Sequence, residues 1–260
     1  MNQLHAMVAA IHQQWKTITI GGAGLSLQII AIPTVMVFAW IAKQRSDPAV
    51  LTYMLISLPL VSIWNGAVFR VGWTLSDELY NQTLHFVYIS RTPVMLVSLG
   101  KALAQIAWGL PTGVLAFAVV FFITRTAPRV ADPGLLLGSF FFVIVGLIVA
   151  SLFFSPLQLL VGGSGGFFNA LIPFGVLLSG FVFPVDRLPP ALEFLARCLP
   201  LSWAMDVVWL AVQGTDTWTR AIGPWAMSLL TSAGLFGGTY LLFKVVEKRV
   251  RVTGTLGMYQ

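Results

Sequence analysis

The chain has 260 residues, of which 57% are hydrophobic and only 9% are charged, and its net charge is +6. Soluble domains carry about 25% charged residues, so this composition argues against a soluble enzyme, a disordered tail or a nucleic-acid-binding domain. The mean hydropathy of +0.86 indicates an integral membrane protein whose basic residues flank its spans. A single cysteine, Cys198, excludes an internal disulfide and a CxxC site.

Residues 1–16 have the pattern of an amphipathic helix that lies in the membrane interface. Apolar side chains such as Leu4, Ile11 and Trp15 recur at helical spacing, against polar side chains such as His12. The alternative is a frayed tail. The apolar run that follows is too long for a cleavable signal peptide and lacks a convincing cleavage site, so we expect it to remain as a span.

Long intervals without Asp, Glu, Lys or Arg predict six membrane-spanning helices, each of which needs about 20 mostly apolar residues. The interval 133–185 is long enough for two crossings, and its glycine-rich centre at 162–166 suits a tight turn. The predicted spans are 21–42, 51–73, 97–123, 134–157, 167–184 and 222–243. The runs lack the alternation of barrel strands, so the predicted fold class is an all-α, integral membrane bundle, formed by a single domain over 1–260.

The distribution of basic residues gives the predicted orientation. An even number of spans places both termini on one side, and Lys and Arg are almost evenly divided between the two sets of loops. The cations packed into 244–251, directly after the last span, favour cytoplasmic termini because positive charge is retained inside.

The segment 74–96, between spans two and three, is longer than a simple loop requires. Asp77 and Glu78 are followed by a partly amphipathic stretch, which predicts a short cytoplasmic helix that docks on another protein. The alternative is an interfacial helix that only anchors the chain.

The segment 186–220, between spans five and six, predicts two half-length helices. Pro189 is suited to the start of the first, Pro200 stops it, and Ser202 is a candidate N-cap of a second helix that ends at Gly214. Each piece would be about 15–18 Å long, which is half a bilayer. We expect a re-entrant hairpin at the outer leaflet; the alternative is a pair lying flat outside the membrane.

The sequence offers no catalytic or metal-binding motif. It lacks the GxxxxGK[ST] phosphate loop, the HExxH metal motif and the GxSxG nucleophile elbow. Glycines at GxxxG spacing, Gly109–Gly113 and Gly134–Gly138, would allow helices to approach closely.

Polar residues inside the predicted spans are candidates for lining a pathway, although each can equally form a hydrogen bond between helices. They are Gln28, Asn65, Gln105 and Asn169. No acidic residue lies mid-span, which argues against an ion-coupled carrier and for an external source of energy.

Two motifs resemble those of the membrane subunit of ABC-2 type exporters, the type V class of bacterial drug, lipid and polysaccharide ABC transporters. Glu78-Leu79-Tyr80-Asn81-Gln82-Thr83-Leu84, followed by Arg91-Thr92-Pro93 and Gly100-Lys101, is similar to the family's E-x3-G-T-L…P…GK segment. Ser179-Gly180-Phe181-Val182-Phe183-Pro184, with Leu188-Pro189 and Leu199-Pro200, is similar to its SG-x2-FP…LP…P signature. Gln82 replaces the usual glycine, and His85 replaces an acidic residue often found there.

The resemblance implies a permease in the bacterial inner membrane that exports an amphiphilic or glycan substrate. It implies two permease subunits, identical or paired with a relative, on two P-loop ATPase subunits that bind ATP and Mg, while this chain binds membrane lipids but no cofactor and no nucleic acid. The implied residues of ATPase coupling are Asp77, Glu78, Tyr80, Thr83 and His85. The re-entrant helices are marked by Pro184, Pro189, Pro200 and Trp203. The rival interpretations are a secondary carrier, a membrane-embedded enzyme and a non-transporting membrane partner.

Overall fold

The computed structural model describes residues 3–20, 23–44, 48–80, 93–161, 165–215 and 217–253, and within these ranges it contains helices and no strand. The α-helices are α1 Gln3–Ile20, α2 Ala23–Lys43, α3 Pro48–Trp64, α4 Arg70–Tyr80, α5 Val94–Thr124, α6 Pro133–Val161, α7 Gly165–Leu178, α8 Pro190–Arg197, α9 Pro200–Gln213 and α10 Thr219–Thr253. A π-helix, Asn65–Phe69, joins α3 to α4, and a 3-10 turn, Val185–Arg187, precedes α8. The predicted all-α class is confirmed for the described residues.

Four helical segments of the described chain are long and apolar enough to cross a membrane: Pro48–Glu78, Val94–Thr124, Pro133–Val161 and Thr219–Arg249. Helices α8 and α9 form a pair bent by 102°, a broken span or a re-entrant loop, which raises the count to as many as 5. The predicted span 21–42 corresponds to α2, whose described apolar part is Ile32–Ile41. The predicted span 167–184 corresponds to α7, which has only 14 residues, so the count of six stays a prediction.

Apolar side chains cover much of the outer surface of the bundle. Val114, Leu137 and Leu230 are 69%, 71% and 65% exposed, respectively. A water-soluble monomer rarely exposes such contiguous apolar surface, whereas in a bilayer these side chains meet hydrocarbon. The chain is a multi-pass membrane protein.

Helix α3 and its continuation through the π-helix form the central rod of the bundle. In Pro48–Glu78, 82% of the most apolar 18-residue stretch is buried inside the protein, compared with 22% of the corresponding stretch of Thr219–Arg249. The helices α2, α5 and α9 pack around α3. Near its start, the hydroxyl of Tyr53 donates a hydrogen bond to the carbonyl oxygen of Gly180, whose φ of +79° is one that glycine adopts without strain. The SG part of the second motif therefore forms a turn against the central rod.

The glycines at GxxxG spacing lie where helices touch, as their spacing predicts. A methyl group placed on Gly109 or Gly113 of α5 would lie 3.0 or 3.2 Å from the side chain of Ile63 on α3. On α6, a methyl group on Gly138 would lie 2.9 Å from the ring of Trp225. The absence of side chains thus allows close packing of α5 on α3 and of α6 on α10.

The two ends of the predicted segment 74–96 belong to the helices on either side of it. Residues 74–80 are the last part of α4, within the segment Pro48–Glu78, and 94–96 are the first residues of α5, so the coupling helix stays a prediction. The centre of the predicted coupling helix, 81–92, lies outside the described residues. Helix α9 begins at Pro200 with Leu199 at its N-cap, and Ser202 instead donates a 2.8 Å hydrogen bond back to the Leu199 carbonyl. Proline at the first helical position, with its fixed φ, explains this earlier start.

Candidate functional site: a buried polar cluster beside the coupling segment

A buried ion pair joins α4 to α5 on either side of 81–92. The ammonium group of Lys101 donates to Oε1 of Glu78, and the two side chains are only 4% and 10% exposed. The neighbouring Asp77 is exposed instead, because consecutive helical residues point about 100° apart. The pair therefore fixes the end of α4 to the first turns of α5 and leaves Asp77 at the surface.

Buried glutamines lie on helices α1, α5 and α6, which pack around this ion pair. We call the set Gln14, Glu78, Lys101, Gln105 and Gln158 the buried polar cluster. Gln105 lies one turn beyond Lys101 on α5 and accepts a 3.4 Å hydrogen bond from Nε2 of Gln14 on α1. Gln158 of α6 lies against the backbone of α4, since a methyl group on Gly72 would come within 2.6 Å of its Oε1. The buried polar cluster thus receives side chains from four helices.

Helix α1 is held against α5 at the same end of the bundle. A methyl group on Gly100 would lie 2.8 Å from the carbonyl oxygen of Met7, so the two backbones approach as closely as glycine permits. Trp15 packs edge-on against Trp108 with ring centroids 5.5 Å apart. The outward surface of α1 carries both apolar and polar side chains, because Leu4 is 66% exposed and His12 is exposed as well. The helix runs to Ile20 rather than to residue 16, and its place in the membrane interface stays a prediction.

A second polar junction, which we call the arginine clamp, holds the bend between α8 and α9. Arg197 at the end of α8 pairs with Asp206 of α9, and its guanidinium lies 4.6 Å from the ring centroid of Trp203. Glu193 is 3.7 Å from the same guanidinium, and Trp203 Nε1 donates a 2.9 Å hydrogen bond to the Arg197 carbonyl. Arg197 therefore contacts both arms of the bent pair.

The predicted coupling residues fall on different parts of the structure. Asp77 is exposed at the end of α4, whereas Glu78 is buried in the ion pair. The side chain of Tyr80 and the residues Thr83 and His85 lie outside the described part of the chain. The place of Glu78 does not suit the direct charged contact with an ATPase that its motif suggested; its role in coupling stays a prediction.

The predicted pathway residues do not gather in one place. Gln105 is bonded to Gln14 and so forms a contact between helices, while Asn65 is half-buried at the start of the π-helix. The side chains of Gln28 and Asn169 lie outside the described residues. Sequence reasoning missed Gln14 because its carboxamide lies on the face of α1 that carries the small residues Ala6 and Ala10. The prediction for this helix was based on its larger apolar side chains instead.

The prolines of the second motif lie before and within the bent pair. Pro184 precedes the 3-10 turn, Pro189 is the N-cap residue of α8, and Pro200 is the first residue of α9. Trp203 is part of the arginine clamp. Sequence reasoning missed Asp206, whose only signal was a carboxylate within an otherwise apolar helix.

The buried polar cluster consists of one ion pair and three carboxamide side chains. In the described ranges, no group of three or more His, Cys, Asp or Glu side chains could hold a metal ion. Helices α1, α4 and α5 meet at one end of the bundle through buried polar contacts, which have defined geometry and are costly to break. The ion pair and the Gln14–Gln105 hydrogen bond therefore tie α4 and α1 to α5.

The fold and this site define a helical membrane protein whose spans are joined at one end by a polar cluster. The chain belongs to the ABC-2 type transporter family, whose model matches residues 3–211. The match covers α1 to α8 and all but the last two residues of α9, and so includes the buried polar cluster and the arginine clamp. Among curated proteins, none matches the chain significantly. Members of this family act as transport permeases, which accords with the resemblance carried by the two motifs.

Proposed function

We propose that the chain is the permease subunit of an ATP-driven exporter in the bacterial inner membrane. Two permease subunits, identical or related, would work with two separate P-loop ATPase subunits, which bind ATP and Mg. The cargo would be an amphiphile or a glycan that leaves the cytoplasm between the two permeases. Both termini, and the segment 81–92, would face the ATPases.

The observation that carries this proposal is the link between α1, α4 and α5 through the buried polar cluster. The ATPases would contact the chain around 81–92, which connects α4 directly to α5, and near α1. Because Lys101 binds Glu78 while Gln105 binds Gln14, a push on either α1 or α4 displaces the long span α5. Binding energy from the nucleotide cycle can then shift the membrane helices between two arrangements.

Within this mechanism the two adjacent carboxylates have different tasks. Asp77 is exposed and is the better candidate for a direct contact with the ATPase. Glu78 acts as a positioning residue, because its carboxylate is held by Lys101 inside the bundle. The placement of α4 relative to α5, rather than a surface charge, is what Glu78 contributes to coupling.

The proposed function is tested by asking whether the open reading frame next to that of the chain encodes a P-loop protein, and by purifying the chain with that protein and reconstituting both in vesicles. We expect co-purification and ATP-dependent export of an amphiphile or glycan. Gly100→Ala forces α1 away from α5, an overpacking cost of about 1–3 kcal/mol, and should reduce ATP-driven transport several-fold while ATP hydrolysis continues. Gly237→Ala is the matched control, as nothing lies within 4 Å of a methyl group there. Transport by the chain alone would instead identify a secondary carrier.

The proposed orientation is tested with cysteines placed at the two ends of the bundle. In a Cys198→Ser background, Thr217→Cys places an exposed thiol in the connection between α9 and α10, so a membrane-impermeant maleimide should label it in intact cells once the outer membrane is opened. In a Cys198→Ser background, Asp77→Cys places an exposed thiol at the other end of the bundle, and it should react only after the inner membrane is permeabilised. Labelling of Asp77→Cys in intact cells would contradict cytoplasmic coupling.

A further inference from the structure

An apolar cavity of about 550 Å³ lies between α3, α5 and α6, and none of its lining residues belongs to the buried polar cluster or the arginine clamp. This volume is within the 300–1,000 Å³ typical of ligand pockets. Its lining includes Ile63 and Ile106 at one end, Phe117 and Phe140 along its sides, and Val114 at its edge. Val114 is 69% exposed, so the cavity opens onto the lipid-facing surface of the bundle.

The length of the cavity corresponds to one leaflet. From Ile106 to Phe117, both of which line it, α5 rises about 16 Å at about 1.5 Å per residue. The hydrocarbon core of a bilayer is about 30 Å thick, so the lined stretch covers about half of it. A cavity lined only by apolar side chains offers no hydrogen bond to a sugar or to water, and it favours hydrocarbon.

Two cations lie where this cavity meets the end of the bundle. Pro128 and Val130, in the connection between α5 and α6, line the cavity, and Arg129 lies between them. The amide of Arg129 donates a 3.4 Å hydrogen bond to the hydroxyl of Thr52, which ties this connection to α3. Arg125, the C-cap residue of α5, adopts a left-handed conformation with φ 55°. Both arginines are exposed, and within the described ranges neither forms an ion pair.

We infer that this cavity binds one acyl chain of an anionic phospholipid from the surrounding bilayer. The acyl chain fills the groove between α3, α5 and α6, and the phosphate is placed near Arg125 and Arg129. Each basic residue near a membrane surface contributes about 1 kcal/mol of attraction to anionic lipid. This site goes beyond the proposed function, because it requires neither an ATPase nor a transported substrate.

The experiment uses the full chain in phosphatidylcholine vesicles doped with phosphatidylglycerol whose acyl chain carries a diazirine. After illumination, cross-linked peptides are mapped by mass spectrometry, and we expect them to centre on the cavity stretch of α5 and α6. Val114→Trp should fill the opening and lower cross-linking there about tenfold, equivalent to ~1.4 kcal/mol. Leu115→Trp is the matched control, because Leu115 is also exposed, at 49%, but does not line the cavity.

The contribution of the arginines is measured by repeating the experiment with diazirine-labelled phosphatidylcholine. The double variant Arg125→Gln/Arg129→Gln should lower the preference for phosphatidylglycerol about tenfold, or ~1.4 kcal/mol, while Arg220→Gln, at another exposed cation, should leave it unchanged. Equal effects of Val114→Trp and Leu115→Trp would overturn the site and leave only ordinary annular contact. Equal labelling by both lipids would overturn the anionic preference. Cross-linking of Val114→Cys between two copies of a Cys198→Ser chain would assign the groove to a second copy instead.

Discussion

Lys101→Ala is expected to lower the free energy of unfolding by about 3 kcal/mol, because the carboxylate of Glu78 then stays buried without the compensating charge of Lys101. For a chain of this size, that corresponds to a fall of roughly 6–12 °C in Tm. Thermal unfolding of the purified chain in detergent, followed by tryptophan fluorescence, measures the shift. Because the side chain of Lys101 is only 4% exposed, water screens its attraction to Glu78 only slightly, and the expected loss of stability is not discounted for screening.

Matched variants separate the contribution of this ion pair to stability from its contribution to coupling. Lys16→Ala and Asp77→Asn alter exposed charges and should each shift the unfolding free energy by less than about 0.5 kcal/mol. The double variant Glu78→Leu/Lys101→Met replaces the pair by apolar groups and should regain most of the lost stability. If ATP-driven transport returns together with stability, the ion pair is only structural. Transport that stays low in the stable double variant supports its role as a joint.

Arg197→Ala is expected to release the bend between α8 and α9 and to cost about 2 kcal/mol, since the part-buried pair with Asp206 and the stacking on Trp203 are lost together. The cysteine next to it provides the measurement. A nitroxide attached to Cys198, which is exposed, should become more mobile in the Arg197→Ala variant. The Tm of this variant should also be lower than that of the unchanged protein. Arg197→Lys keeps the charge but loses the planar guanidinium, so an intermediate effect is expected.

Two nearby changes are the controls for the arginine clamp. Glu193→Gln removes the longer contact of 3.7 Å, which as an exposed helical pair contributes about 0.3–0.5 kcal/mol. Arg187→Ala alters a cation that lies 5.8 Å from the ring of Trp209 and outside the clamp. A spin label that responds equally to Arg187→Ala and Arg197→Ala would show that Arg197 has no special place in the bend.

The sequence predicts an element of this fold wherever a few neighbouring residues determine where a helix begins or ends. The bent pair is one example, because Pro189, Pro190 and Pro200 mark the starts of α8 and α9. The glycine-rich stretch at 162–166 is another, as α6 ends at Val161 and α7 begins at Gly165. In both cases the constraint is local and follows from the backbone preferences of proline and glycine.

The contacts of the candidate site could not be predicted because they join distant parts of the chain. Gln14 and Gln105 are 91 residues apart, and Glu78 and Lys101 are 23 apart. Pairing them requires the rotation and the depth of each helix, which hydropathy does not supply. The motif identified Glu78 as important, but only the packed structure shows that the carboxylate points inward and that Asp77 takes the surface position.

The π-helix Asn65–Phe69 determines how far one end of the central rod is rotated about the helix axis relative to the other end. One residue more or less in a helix turns everything beyond it by roughly 100° and moves it by about 1.5 Å. Contraction of this wide turn to an ordinary α-turn would swing the carboxylate of Glu78 away from Lys101, although Tyr53 at the other end could stay against Gly180. Such a change at the π-helix would rotate the end of the rod that carries Glu78, while the end that carries Tyr53 stays in place.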